Sequence, residues 1–177
     1  MKGYVQVYTG NGKGKTTAAI GLSVRAAGAG LRVFIIQFMK NGLYSEINAL
    51  KKFDNIFVEQ YGAGQFVKGK PSDAERAKCR QGYKRLCSII EAGQHDLVIA
   101  EEANVACLCG LLSEEDLLHM IDIKPEHIEL ILTGRGAPAA LIDKADLVTE
   151  MREIKHYYQQ GVAARVGIAK RRKQTQC

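Results

Sequence analysis

The chain contains no tryptophan, only three prolines, and among its five cysteines no pair spaced C-x-x-C. Cys79, Cys87, Cys107, Cys109 and Cys177 are an odd set without that spacing, which argues against a zinc ribbon or a disulfide framework and points to free thiols, several of them packed. No run approaches the roughly 18 apolar residues that a membrane span needs. The opening MKGYVQVYTG lacks the apolar region and small-residue cleavage site of a secretory signal, so a cytoplasmic location is the expectation. Repeats and low-complexity linkers are also missing. His95, His119 and His127 are scattered over helix ends and loops, and no Ser-His-Asp, Cys-His or metal-ligand spacing stands out.

What remains is an ordinary soluble composition, 46% hydrophobic and 25% charged over 177 residues, which fits one globular domain. Much of the net charge of +6 sits in Lys170-Arg171-Arg172-Lys173. We therefore read 1–169 as the domain and 170–177 as a solvated, disordered basic tail rather than a reader of nucleic acid. The body is then only mildly basic, which suits an anionic small-molecule ligand.

Short β-rich runs recur between longer helical ones: YVQVYT, RVFIIQFM, NIFVEQY, DLVIAEE and IELILTG. Runs that are nearly all apolar are buried on both faces, which means a mainly parallel sheet covered by helices. Helices are expected over 16–29, after a capping box at Ser72 and Glu75, and after a second box at Ser113 and Asp116. The first box leads into Cys79, Tyr83, Leu86, Cys87 and Ile90 as one buried face. The second leads into Leu117, Leu118 and Ile121. The alternation predicts a three-layer α/β domain with its ligand at the carboxyl ends of the strands.

The stretch TGNGKGKTT lies between the first strand and the first helix, the context expected of a phosphate-binding loop. Thr9 stands where the usual pattern G-x-x-x-x-G-K-[ST] has glycine. The phosphates, however, need only a run of backbone NH groups able to curl around them, and Gly10, Gly12 and Gly14 allow that. Lys15 would neutralise phosphate charge, Thr16 would offer a hydroxyl to magnesium, and the helix start would favour an anion. Glu101 and Glu102, directly after Leu97-Val98-Ile99-Ala100, are the expected strand-end acids for that metal.

TGNGKGKTTAA, Arg25 in SVRAAGAG, VIAEEANVA, TGRGAP and ADLVTEMREIKHYYQQGVAARVGI, in that order and spacing, resemble the P-loop class of ATP:corrinoid adenosyltransferases from about residue 4 to 168. The resemblance implies a P-loop, RecA-like domain that transfers the 5′-deoxyadenosyl group of ATP to the cobalt of a reduced corrinoid and releases triphosphate. It implies that Gly10, Asn11, Gly12, Lys13, Gly14, Lys15, Thr16 and Thr17 hold ATP, that Arg25 and Arg135 contact it, and that Thr16 with Glu102 binds Mg2+. It also implies a homodimer and a separate reductase that supplies the reduced cobalt.

Three departures accompany the resemblance. Glu101-Glu102 replaces the family's common Asp-Glu. The Phe and Trp that touch the corrinoid in some members give way to GAGQFVKGKP, which leaves Phe66 as the aromatic candidate. Some members also carry an extra N-terminal helix that helps to close the site; this chain starts at the first strand, so that lid is absent or comes from a partner subunit. The rival readings are a small P-loop kinase or ATPase, for which TGRG and KHYYQQG would have no particular role, and a non-catalytic ATP-dependent nucleic-acid-binding module that uses the basic tail.

Overall fold

The computed structural model describes residues 2–42, 44–63 and 69–169. Its strands are β1 (Val5–Thr9), β2 (Val33–Phe38), β3 (Ile56–Tyr61), β4 (Leu97–Glu101), β5 (Glu129–Thr133) and β6 (Leu147–Glu150). They form one six-stranded sheet in the order β3-β2-β4-β5-β1-β6, and every pairing is parallel. The helices are α1 (Lys15–Gly28), α2 (Ser45–Leu50), α3 (Asp73–Ala92), α4 (Ala103–Leu108), α5 (Glu114–Asp122) and α6 (Ala139–Lys144). A 3-10 turn, Tyr157–Gln160, follows.

The period of two along each strand divides the core. Val33 and Ile35 of β2, with Leu97 and Ile99 of β4, pack with Ala19 and Ala26 of α1 and Leu50 of α2. Their neighbours Phe34, Ile36, Phe38, Val98 and Ala100 face the other way, against Cys79, Leu86 and Ile90 of α3 and Leu117 and Met120 of α5. Burying each such large aliphatic or aromatic side chain contributes about 1.5–3 kcal/mol. Both faces of the central strands are covered, as their continuous apolar character requires.

Both expected capping boxes form. Ser72 accepts from the Glu75 amide while Glu75 reaches back to the Ser72 amide, and Ser113 and Asp116 do the same at α5. Of the expected faces, Cys79, Leu86, Ile90 and Leu117 are buried and Tyr83, Cys87, Leu118 and Ile121 are half-buried, while Ile89 and Met120 are buried beside them. Burial pushes the Cys79 thiol up to about 12, the value of an inert packing residue. The four described cysteines, Cys79, Cys87, Cys107 and Cys109, are free thiols; Cys177 lies outside the described residues.

Three features differ from the sequence-based expectation. β6 was not among the expected strands, and all four of its residues are exposed. A short edge strand of this kind carries no burial pattern to read. β3, at the other edge, buries only Ile56 fully. Finally, α2, α4 and α6 are single-turn to two-turn segments of six residues, too short for a helical period to emerge. No described helix is long and apolar enough to cross a membrane.

Asp116 joins α5 to α3, since its carboxylate also takes two hydrogen bonds from Arg80, at 2.8 and 3.0 Å. Partial burial would raise this carboxyl, but the Arg80 guanidinium and the Ser113 amide outweigh it and hold it below the usual aspartate range. A depressed carboxyl stabilises the fold above its unfolded value and loses that contribution as pH falls through the folded value. Asp116→Ala should therefore cost about 1 kcal/mol at neutral pH. In urea titrations its difference from the native protein should shrink as pH is lowered below the aspartate range.

Candidate active site

β1 ends at Thr9, and the chain turns through Gly10 to Gly14 before α1 begins at Lys15. Thr9 is buried, and its hydroxyl accepts from the Ala137 amide at 3.2 Å while its carbonyl accepts from Met151 N at 2.9 Å. The residue that departs from the usual loop pattern thus ties the base of the loop to the segments that follow β5 and β6. Gly10 has φ +92°, and a side chain on it would meet the Met151 carbonyl at 2.5 Å. The Gly12 amide donates to that same carbonyl at 2.6 Å. The loop is therefore braced from below by the chain just after β6.

α1 has no side-chain cap at Gly14, so its first-turn amides keep their free donors and the positive end of the helix dipole faces the loop. Lys15 folds over the loop and donates to the carbonyls of Gly10 (2.6 Å) and Gly12 (2.7 Å). Burial lowers its pKa, Arg135 lowers it further, and Glu102 partly restores it. Asn11, Lys13 and Thr17 are exposed around the rim. Lys13 donates to the Ile168 carbonyl at 2.9 Å, which brings the C-terminal segment to the loop.

Glu101 is 1% exposed. The alternation of β4 explains its direction: Leu97 and Ile99 face α1, so Glu101 faces the start of the same helix. Its Oε1 accepts the Thr16 hydroxyl at 2.5 Å and the Lys40 ammonium at 2.9 Å, while its Oε2 is buried with no partner. Thr16 therefore meets Glu101 rather than Glu102. Glu102 takes a left-handed backbone, φ 63°, and donates its amide to Thr133 Oγ1 at 3.1 Å. Burial and the neighbouring Glu101 charge raise its carboxyl to about 7, against the pull of Lys40, Lys15 and Arg135.

Arg135 follows β5, exposed and near enough to influence both Lys15 and Glu102. Its loop is pinned by the buried Asn104, which donates to the Gly134 carbonyl at 3.0 Å. Arg25 is different. It lies about ten residues and roughly 15 Å along α1 from Lys15, beside a surface hollow lined by Gln6, Tyr8, Ala18, Gly21 and Leu22. The structure does not bring it to its own loop. Phe66 lies outside the described residues.

Lys40 is the residue that sequence reasoning missed. It follows β2 as Glu101 and Glu102 close and follow β4, so the rule that flagged the acids at a strand end would have flagged it too. Burial would lower its pKa, but Glu101, with Glu102 and Glu46, outweighs that and holds it above the ordinary lysine value. Glu101, Thr16 and Glu102 suit magnesium, which takes one or two carboxylates plus substrate phosphates rather than a full protein cage. The orphaned Glu101 oxygen and the cation already drawn to that carboxylate are the observations that favour the fit.

A parallel three-layer sheet with a glycine-rich loop, a following lysine and threonine, and strand-end acids defines a P-loop nucleotide-binding domain. The chain matches the family model described as ATP:corrinoid adenosyltransferase BtuR/CobO/CobP over residues 1–169, and it belongs to that family. It is 30% identical over 167 residues to the corrinoid adenosyltransferase of Escherichia coli K12, covering 94% of this chain and 85% of the relative. It is 31% identical over 167 residues to the corrinoid adenosyltransferase CobA of Salmonella typhimurium LT2, with the same coverage. To the Pseudomonas aeruginosa corrinoid adenosyltransferase it is 31% identical over 169 residues, covering 94% and 83%.

The geometry of Lys15 yields a direct expectation. Its partners are two carbonyls of its own loop, so Lys15→Ala should leave the melting temperature within a few degrees of native. By calorimetry it should weaken ATP binding roughly tenfold or more, about 1.4 kcal/mol.

Proposed function

We propose that this protein transfers the 5′-deoxyadenosyl group of ATP to the cobalt of a reduced corrinoid and releases triphosphate, in the making or salvage of adenosylcobalamin. The observation that carries the reading is the meeting of the TGNGKGKTT loop, the strand-end acids and Arg135 of TGRG at one end of the sheet, within a chain of the ATP:corrinoid adenosyltransferase family. In the reaction the electron pair of cobalt(I) forms the bond to C5′. The C5′–O bond breaks, its pair leaves with triphosphate, and cobalt ends as cobalt(III).

No proton has to be removed from the nucleophile, so the protein's tasks are positioning, exclusion of water and stabilisation of the departing charge. Residues Gly10 to Thr17 bind the triphosphate through loop amides and Lys15, and Arg135 stands ready for the charge that develops on it. Thr16, Glu101 and Glu102 hold Mg2+. When bound, that ion neutralises the leaving group. Phe66 is our candidate for the corrinoid side.

We further read the protein as a cytoplasmic homodimer served by a separate reductase. Exposed Leu147 and Val148 on β6 support a subunit contact. Arg25, remote from its own loop, would then act on a nucleotide only across such a contact.

The test is anaerobic. Protein, ATP, Mg2+ and chemically reduced cobalamin should give the adenosylcobalamin spectrum and one triphosphate per turnover. Release of phosphate without adenosylcobalamin would instead support a P-loop kinase or ATPase.

A further inference from the structure

Lys40 occupies a prepared position. Met39 before it is one of two described non-glycine residues with positive φ, at 59°; the other is Glu102. A non-glycine residue held there is costly and marks a backbone that its surroundings over-determine. Here the constraint is visible. The Gly62 amide donates to the Lys40 carbonyl at 2.9 Å, and a side chain on Gly62 would meet Lys40 N at 2.5 Å. The turn after β2 is thus clamped against the chain after β3, and the lysine is sent back over the start of α1. Its ammonium lies 5.5 Å from the centre of the Tyr44 ring.

The ammonium stands 2.9 Å from Glu101 Oε1 and 3.4 Å from Thr16 Oγ1. These are the oxygens that the reading above gives to the metal. An ammonium and a divalent ion cannot both occupy the space between them. Lys40 is also 17% exposed through its side chain, whereas Glu101 is closed in, so the lysine is the group with a way out.

Resting on the functional reading above, we propose that Lys40 is the resident cation of the nucleotide-free site and a second triphosphate-binding lysine of the loaded one. Without nucleotide it neutralises the buried Glu101 carboxylate and holds Thr16 and Glu101 in register. When the metal arrives with the triphosphate, the ammonium yields Glu101 to the ion and turns to the phosphate oxygens. The two states exchange one counter-ion for another, so Glu101 is never buried with its charge uncompensated. Lys40 is in this sense a positioning residue for the metal as well as a ligand of the leaving group.

The proposal predicts opposite signs in two titrations that do not involve turnover. Mn2+ binding without nucleotide, followed by the electron paramagnetic resonance of the free ion, should be roughly tenfold tighter in Lys40→Met, because the competing cation is gone. Inorganic tripolyphosphate binding at saturating Mg2+, followed by calorimetry, should be roughly tenfold weaker. Lys40→Arg should retain most of the tripolyphosphate affinity. A purely structural lysine would weaken both ligands together, and that result, or two unchanged affinities, would overturn the proposal.

Should Lys40→Met fail to fold, the native protein supplies the second measurement. Acetylation of Lys40, mapped by mass spectrometry, should speed up when Mn2+ is added alone and slow again when tripolyphosphate follows. A rate indifferent to both also overturns it. Native protein that bound no tripolyphosphate, with metal or without, would instead remove the underlying functional reading, and this inference with it.

Discussion

The candidate site depends on one buried charge. Glu101 closes β4 inside the protein, where an unpaired carboxylate would cost several kcal/mol. The two groups that satisfy it come from elsewhere in the chain: Thr16 from the first turn of α1, and Lys40 from the turn after β2. Their demand on the same oxygen fixes the start of α1 relative to the strand ends, which aims the helix amides and Lys15 at a common point. A phosphate loop is soft by composition. Here its far end is set by electrostatics, and its near end by Thr9 and the chain after β6.

Charges of both signs crowd this end of the sheet. Lys15, Lys40 and Arg135 face Glu101 and Glu102, and Glu46 also acts on Lys40. The raised pKa of Glu102 has burial as its main cause, and the second carboxylate beside it adds to the effect. On the reading proposed above, a polyanion accompanied by a divalent ion would meet both sets, the phosphates the cations and the metal the acids. On the proposed reading, this arrangement suits a triphosphate that arrives with a metal ion.

Much of this could be read in the sequence, and the gaps have physical causes. The strands from β1 to β5 were visible because apolar runs bounded by turns leave little choice. Both capping boxes were visible because the partner residues sit three apart. β6 escaped because Leu147, Val148, Thr149 and Glu150 face solvent on both sides and so carry no pattern. The choice between Glu101 and Glu102 was open to inspection, since Leu97, Ile99 and Glu101 share one face of β4. What could not be known from the sequence was that α1 lies over that face. Lys40 was passed over because a lysine after a strand is common, and only the sheet order puts β2 beside β4. Arg25 shows the converse: a family motif marks a residue, but the rise of the helix carries it away from its own loop.

The loop near the beginning of the chain is completed by residues near its other end. Gly12 and Thr9 depend on Met151, and Val5 N donates to Asp146, 141 residues away. Such pairing is among the slowest contacts for a folding chain to find. During synthesis the loop would leave the ribosome long before the strand that braces it. A nascent chain can form the hydrophobic layers around β2 and β4 while its phosphate loop is still without a floor. The floor of the loop can therefore close only after the chain beyond β6 has been made.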